Sequence, residues 1–79
     1  MSFANALAKA RLRVRVGELY YHYKDKKKLY YVEKIAIDEA DEEITIVYTS
    51  CDHQAITWTR PLDSWLEIVD GKPRFSQIE

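Results

Sequence analysis

The sequence predicts a mainly β protein: a small SH3-like barrel of about five short strands, with an N-terminal helical arm and one helical turn before the last strand. Three observations predict it. Short runs rich in β-branched and aromatic residues recur along the chain, separated by tight polar turns. The hydrophobic period changes from helical to strand-like near Arg11. The chain has 79 residues, enough for one domain with a small core. Six Tyr, two Trp and two Phe suit such a core, because each ring buries a large area.

The arm comes first. Residues 2–11 read as a short helix that Ser2 can cap, with Phe3, Leu7 and Ala10 on one face at i, i+4, i+7. Leu12, Val14 and Val16 then alternate with Arg11, Arg13 and Arg15, a strand rhythm with one basic face. Gly17 ends it and divides the chain into an arm, residues 1–16, and a barrel domain, residues 17–79.

LYYHYK and LYYVEKIAI flank the stretch DKKK, which reads as a hairpin turn although it lacks Asn-Gly or Asp-Gly. The acidic residues 38–43 read as an exposed connection. ITIVYTS, residues 44–50, is the clearest strand. CDHQ is a turn into AITWT, a short strand closed at Arg60 and Pro61 because Pro61 has no amide hydrogen for a ladder. PLDSWLEIV supplies one helical turn, with Pro61 at its first position and Leu62, Trp65 and Leu66 or Val69 on one face. Asp70-Gly71 is a turn, and PRFSQI is the final strand.

The totals narrow the function. Net charge is −1, from 12 Lys plus Arg against 13 Asp plus Glu. Duplex nucleic-acid binders carry a basic excess, so nucleic acid is disfavoured as a partner. Cys51 is the single cysteine; it cannot form an internal disulfide and suits a reducing cytoplasm. His22, His53 and Cys51 lack a fourth ligand at a zinc spacing, so no metal or other cofactor is expected. No apolar run approaches the ~20 residues of a membrane span. The N-terminal basic residues follow the apolar ones, the reverse of a signal peptide. A cytoplasmic protein without membrane attachment is expected.

Catalytic motifs are missing too. There is no Gly-rich phosphate loop, no nucleophile with an evident base and no paired-carboxylate motif. Cys51 beside Asp52 and His53 sits in a surface turn, which supplies neither a dry pocket nor an oxyanion hole. The expectation is a protein that is not an enzyme.

The candidate site residues come from GELYYHYKDKKKLYYV, residues 17–32, and from the Trp58–Pro61 stretch. Neighbouring strand residues point to opposite faces, so Tyr20 and Tyr21 cannot both be core, nor can Tyr30 and Tyr31. If Leu29, Tyr31, Ile35 and Ile37 face inward, Tyr30 is exposed. On the preceding strand, Leu19, Tyr21 and Tyr23 face opposite to Tyr20 and His22. Either one set packs the core while the other lies flat on the sheet, or the exposed rings line a cleft of the kind small barrels use for peptides, methylated side chains or bases.

His22, Lys24 and Arg60 on one patch would hold a phosphate or carboxylate, with Tyr23, Tyr48 and Trp58 lining the groove. The plainer alternative has Arg60 pairing with Asp63 or Glu67 and holding the Pro61 turn, with His22 an edge-strand residue. Lys24, Lys26, Lys27 and Lys28 read as a solvated hairpin tip whose field the acidic residues 38–43 offset.

The order Gly17, His22-Tyr23-Lys24, Tyr31-Val32, Val47-Tyr48, Trp58, Arg60-Pro61-Leu62, Gly71, Arg74-Phe75 resembles a family of short, mostly bacterial and phage proteins classed as a domain of unknown function. Its hallmarks are a YxHYK-like opening, a VVY strand, a W-x-RPL turn and a terminal RF. The resemblance spans about residues 17–78 and implies a small all-β domain without implying an activity. Asp25 stands where a glycine commonly follows HYK, and Trp65 where the family usually has Phe.

Two functions are therefore expected to compete. One is a binding module for an anionic small molecule or nucleotide through His22, Tyr23, Lys24, Tyr48, Trp58 and Arg60. The other is a protein–protein adaptor or inhibitor, phage-encoded on the resemblance, that uses the arm and exposed tyrosines to hold a partner or a second copy as a homodimer.

Overall fold

The computed structural model describes residues 3–78. The elements in order are α1 (Phe3–Arg13), β1 (Leu19–His22), β2 (Asp25–Ile37), β3 (Ile44–Ser50), β4 (Thr57–Pro61), α2 (Leu62–Trp65), β5 (Ile68–Val69), β6 (Lys72–Pro73) and β7 (Phe75–Gln77). The mainly β architecture expected from the sequence is present, with its helical turn ahead of the last strand. Five strands form one antiparallel sheet in the order β4-β3-β2-β1-β7, and β5 and β6 form a separate hairpin. A meander whose last strand returns beside the first is the order expected of a small SH3-like barrel.

The arm is helical further than its sequence rhythm suggested. Leu12 and Arg13 continue α1, and the Val14 amide donates to the Ala10 carbonyl at 2.9 Å. No strand covers residues 12–16. Val14 satisfies both periods, alternating with the arginines and following Leu7 and Ala10 at helical spacing. Burial decides between them: Ala10 and Val14 are 1% and 0% exposed, whereas Leu12 is 76% exposed. Of the expected helical face, Phe3 lies largely in solvent. Ser2, the expected cap, lies outside the described residues.

The first hairpin also turns earlier than DKKK. His22 pairs with Asp25, so the loop is Tyr23 and Lys24. Side-chain acceptors close it locally: His22 Nδ1 takes the Lys24 amide at 3.2 Å and Asp25 Oδ1 takes the Lys27 amide at 2.9 Å. The next pair after His22–Asp25 is Tyr21–Leu29, which leaves Lys26, Lys27 and Lys28 bulged from β2 without partners on β1. Asp70-Gly71 is the two-residue turn joining β5 to β6. Both residues have positive φ, 52° and 76°, as a type I′ turn needs.

A second irregularity sets the core. Val32 pairs with Tyr48 and Lys34 with Val47, so Glu33 is the extra residue of a bulge that reverses the facing of β2. Before the bulge Tyr30 and Val32 face inward; after it Ile35 does. The expected inward set Leu29, Tyr31, Ile35, Ile37 therefore holds only in its second half. Tyr31 is 39% exposed, while Val32 is fully buried. Val14, Tyr20, Val32, Ile46, Tyr48, Trp65 and Phe75 make the core, with Tyr30, Ile35, Leu62 and Leu66 packed against it. No described helix is long and apolar enough to cross a membrane.

Candidate binding site

Strand register brings distant parts of the sequence onto one inner face. Tyr20 lies opposite Tyr30, His22 opposite Phe75, Val32 opposite Tyr48, Tyr48 opposite Trp58 and Ile46 opposite Arg60. Val14, just past α1, joins this core, and α2 adds Trp65. The Trp65 ring stacks on Phe75 at 3.8 Å between centroids and 4° between planes. It meets Tyr20 and Tyr48 edge-on at 5.4 and 5.0 Å. The uncovered part of the face is a depression of about 260 Å³ lined by His22, Tyr30, Tyr48, Trp58, Arg60 and Phe75.

Its walls are aromatic and braced edge to face. Tyr48 meets Tyr30 and Phe75 at 5.6 Å each, a favourable geometry for ring quadrupoles. Trp58, on edge strand β4, is 49% exposed and presents a large free ring at the rim.

Arg60 is the permanent charge in the lining. Its Cζ lies 5.6 Å from the Phe75 centroid. Its Nη1 donates to Ser64 Oγ at 2.9 Å, and its Nε reaches the Tyr48 hydroxyl at 3.5 Å. Neither Asp63 nor Glu67 pairs with it: the one ion pair among the described residues joins Arg74 to Glu67. Among the described residues the guanidinium is thus oriented by neutral groups and no carboxylate pairs with it.

His22 stands against the same ring, edge-on to Phe75 at 5.1 Å. Burial first, then the positive charges of Arg60, Arg74 and Lys24, hold its pKa below the ordinary 6.5. The Lys24 amide donates to Nδ1, so the neutral ring carries its proton on Nε2.

Four of the six expected residues, His22, Tyr48, Trp58 and Arg60, converge here. Tyr23 and Lys24 do not line the depression. Tyr23 sits in the hairpin turn, where its ring meets that of His22 at 4.7 Å between centroids and lines a separate depression with Tyr21, Lys26, Lys72, Pro73 and Ser76. The Lys24 ammonium rests 5.9 Å from the Tyr23 ring centroid and acts on the site through charge alone. Tyr30 and Phe75 complete the lining and were not expected there. Phe75 belongs to the terminal Arg-Phe pair, which could have flagged it; Tyr30 was hidden by the bulge.

Larger depressions lie elsewhere. One of about 380 Å³, between Glu43, Ile44 and residues 61–64, includes two carboxylates, and one of about 500 Å³ is lined by Arg11, Arg15, Val16, Lys34 and Ile35. Neither contains an aromatic ring. Among the described residues, no group of three or more His, Cys, Asp or Glu side chains is arranged to hold a metal ion.

Fold and site together define a small antiparallel β domain with an aromatic depression built around an arginine that forms no ion pair among the described residues. The chain belongs to the family described as protein of unknown function (DUF1653), whose model matches residues 18–77. No curated protein and no solved structure matches the chain. The family match takes in every strand and leaves α1 outside it.

Proposed function

We propose that this domain is a non-enzymatic binding module whose inner-face depression takes an anionic small molecule with a planar ring, such as a nucleotide. The observation that carries this reading is the state of Arg60, a guanidinium without a carboxylate partner among the described residues, held by Ser64 and Phe75 beside exposed Trp58. Arginine recognises phosphate and carboxylate through its planar fork, and an exposed indole is a stacking platform for a base or other ring. An aromatic box alone would equally suit a quaternary ammonium. Arg60 in the wall and Arg74 and Lys24 close to His22 repel such a cation.

Thermal-shift screening against a nucleotide panel tests the reading. At least one nucleotide is expected to raise the melting temperature, and Arg60→Ala to weaken its binding by about 10- to 100-fold, the worth of a charge-assisted hydrogen bond. A flat panel, or an Arg60→Ala effect confined to stability, removes the proposal.

A second reading, an adaptor or inhibitor that holds a protein partner or a second copy, is favoured by the outer face. Leu19, Tyr31 and Ile78 are 36%, 39% and 37% exposed there, and an uncovered apolar stripe is a common docking surface. In its self-pairing form it predicts a dimer by light scattering that Tyr31→Ser dissociates. A monomer at every accessible concentration eliminates that form.

A further inference from the structure

We propose that anion binding in the inner-face depression is coupled to protonation of His22, and that the ligand class it favours is the phosphate monoester. This rests on the reading of the depression as an anion site. Its geometric basis is that His22 and Arg60 flank one ring, Phe75, and line one depression. An anion drawn to Arg60 therefore sits beside the imidazole.

Without ligand, the surroundings keep that imidazole neutral. Nδ1 accepts the Lys24 amide, which needs that nitrogen unprotonated. The charged groups facing His22 are Arg60 from β4, Arg74 from just before β7, and Lys24 from the turn. From β2, Lys28 reaches the neighbouring Tyr30 ring at 5.9 Å. Glu67, beyond α2, is taken up by Arg74, and Asp63 of α2 lines the separate depression beside Glu43.

A bound anion opposes this cationic field and raises the imidazole pKa. Linkage then requires the converse: protonating His22 strengthens anion binding by the same factor. Affinity climbs as the pH falls through the bound-state pKa and levels off below the lower free-state value. A second negative charge on the ligand enlarges the effect, which is why a phosphate monoester is favoured over a monoanion of the same shape.

Phenyl sulfate, whose charge is constant over the range, is the probe. Its dissociation constant is measured by calorimetry from about pH 8 to about pH 5. The expected result is an affinity gain of about fivefold or more on acidification, with proton uptake that depends on buffer ionisation heat. His22→Gln is expected to flatten this slope, whatever its absolute affinity, while His53→Gln, outside the site, keeps it. Melting curves taken at each pH verify that every sample is folded. Phenyl phosphate is expected to bind more tightly than phenyl sulfate at neutral pH.

A wild-type slope that is flat, or one that survives His22→Gln, overturns the coupling while leaving the anion site standing. Equal affinity for the two probes overturns the phosphate assignment. No binding of either probe at any pH overturns the anion site itself.

Discussion

Trp65→Ala is expected to leave the protein largely unfolded at ambient temperature. Trp65 is 2% exposed and is the one ring that touches Tyr20, Tyr48 and Phe75 together. Truncating a buried aromatic to alanine costs about 3–5 kcal/mol, and a core this small supplies a net stability of that same order. The loss would also free the Phe75 ring, against which His22 and Arg60 pack, so ligand binding should disappear with the fold. Urea denaturation followed by fluorescence of the remaining Trp58 reads the effect. Trp65→Phe keeps a ring at the position and is expected to cost less. A Trp65→Ala protein with a nearly unchanged urea midpoint would mean that the stacking on Phe75 is not what holds α2 to the sheet.

Val14→Asp is expected to be comparably severe, although Val14 lies outside the residues that the family model matches. The side chain is fully buried against the sheet core. An unpaired carboxyl placed there costs several kcal/mol, whether it stays charged or shifts its pKa to become neutral. Deleting residues 1–16 removes the same contact, together with Ala10 and the Arg15 amide that donates to the buried Tyr20 hydroxyl at 2.9 Å. The fragment 17–79 should therefore melt well below the full chain. This matters for choosing between the two functions: losing the arm would abolish both a ligand and a partner by unfolding, so surface changes such as Tyr31→Ser discriminate where the deletion cannot. Identical melting temperatures for fragment and full chain would show the helix to be an appendage.

Along the sheet, sequence and structure part where the strand pairing is irregular. On β1, alternation assigned Tyr20 and His22 to one face and Leu19, Tyr21 and Tyr23 to the other; it holds for Leu19 and Tyr21, because β1 pairs regularly until its last residue, and not for Tyr23, which falls in the turn against the His22 ring. On β2 the same rule misplaced Tyr30 and Tyr31. The bulge at Glu33 inserts one residue between two paired stretches, and one residue is half a strand period. A bulge is a relation between two strands, so β2 read by itself carries no mark of it. Polar, short-range features transferred well: the acidic connection, closed by the Asp38 amide donating to the Glu43 carbonyl at 2.8 Å, the turn after Cys51 and the Asp70-Gly71 turn.

Legible in the residues alone were the mainly β composition of the domain, the acidic connection, the turns at residues 51–54 and 70–71, and the facing of Tyr20 and His22 opposite to Leu19 and Tyr21. These follow from dihedral preferences and the two-residue pleat, which act within a few neighbours. Tertiary packing decided that residues 12 and 13 extend a helix, that the first hairpin turns at Tyr23 and Lys24, that Tyr30 and Phe75 join the depression, and that Arg60 has no carboxylate partner among the described residues. Each of those depends on which surfaces meet across the sheet, where burial of Val14, the β2 bulge and the capture of Glu67 by Arg74 outweigh the local pattern.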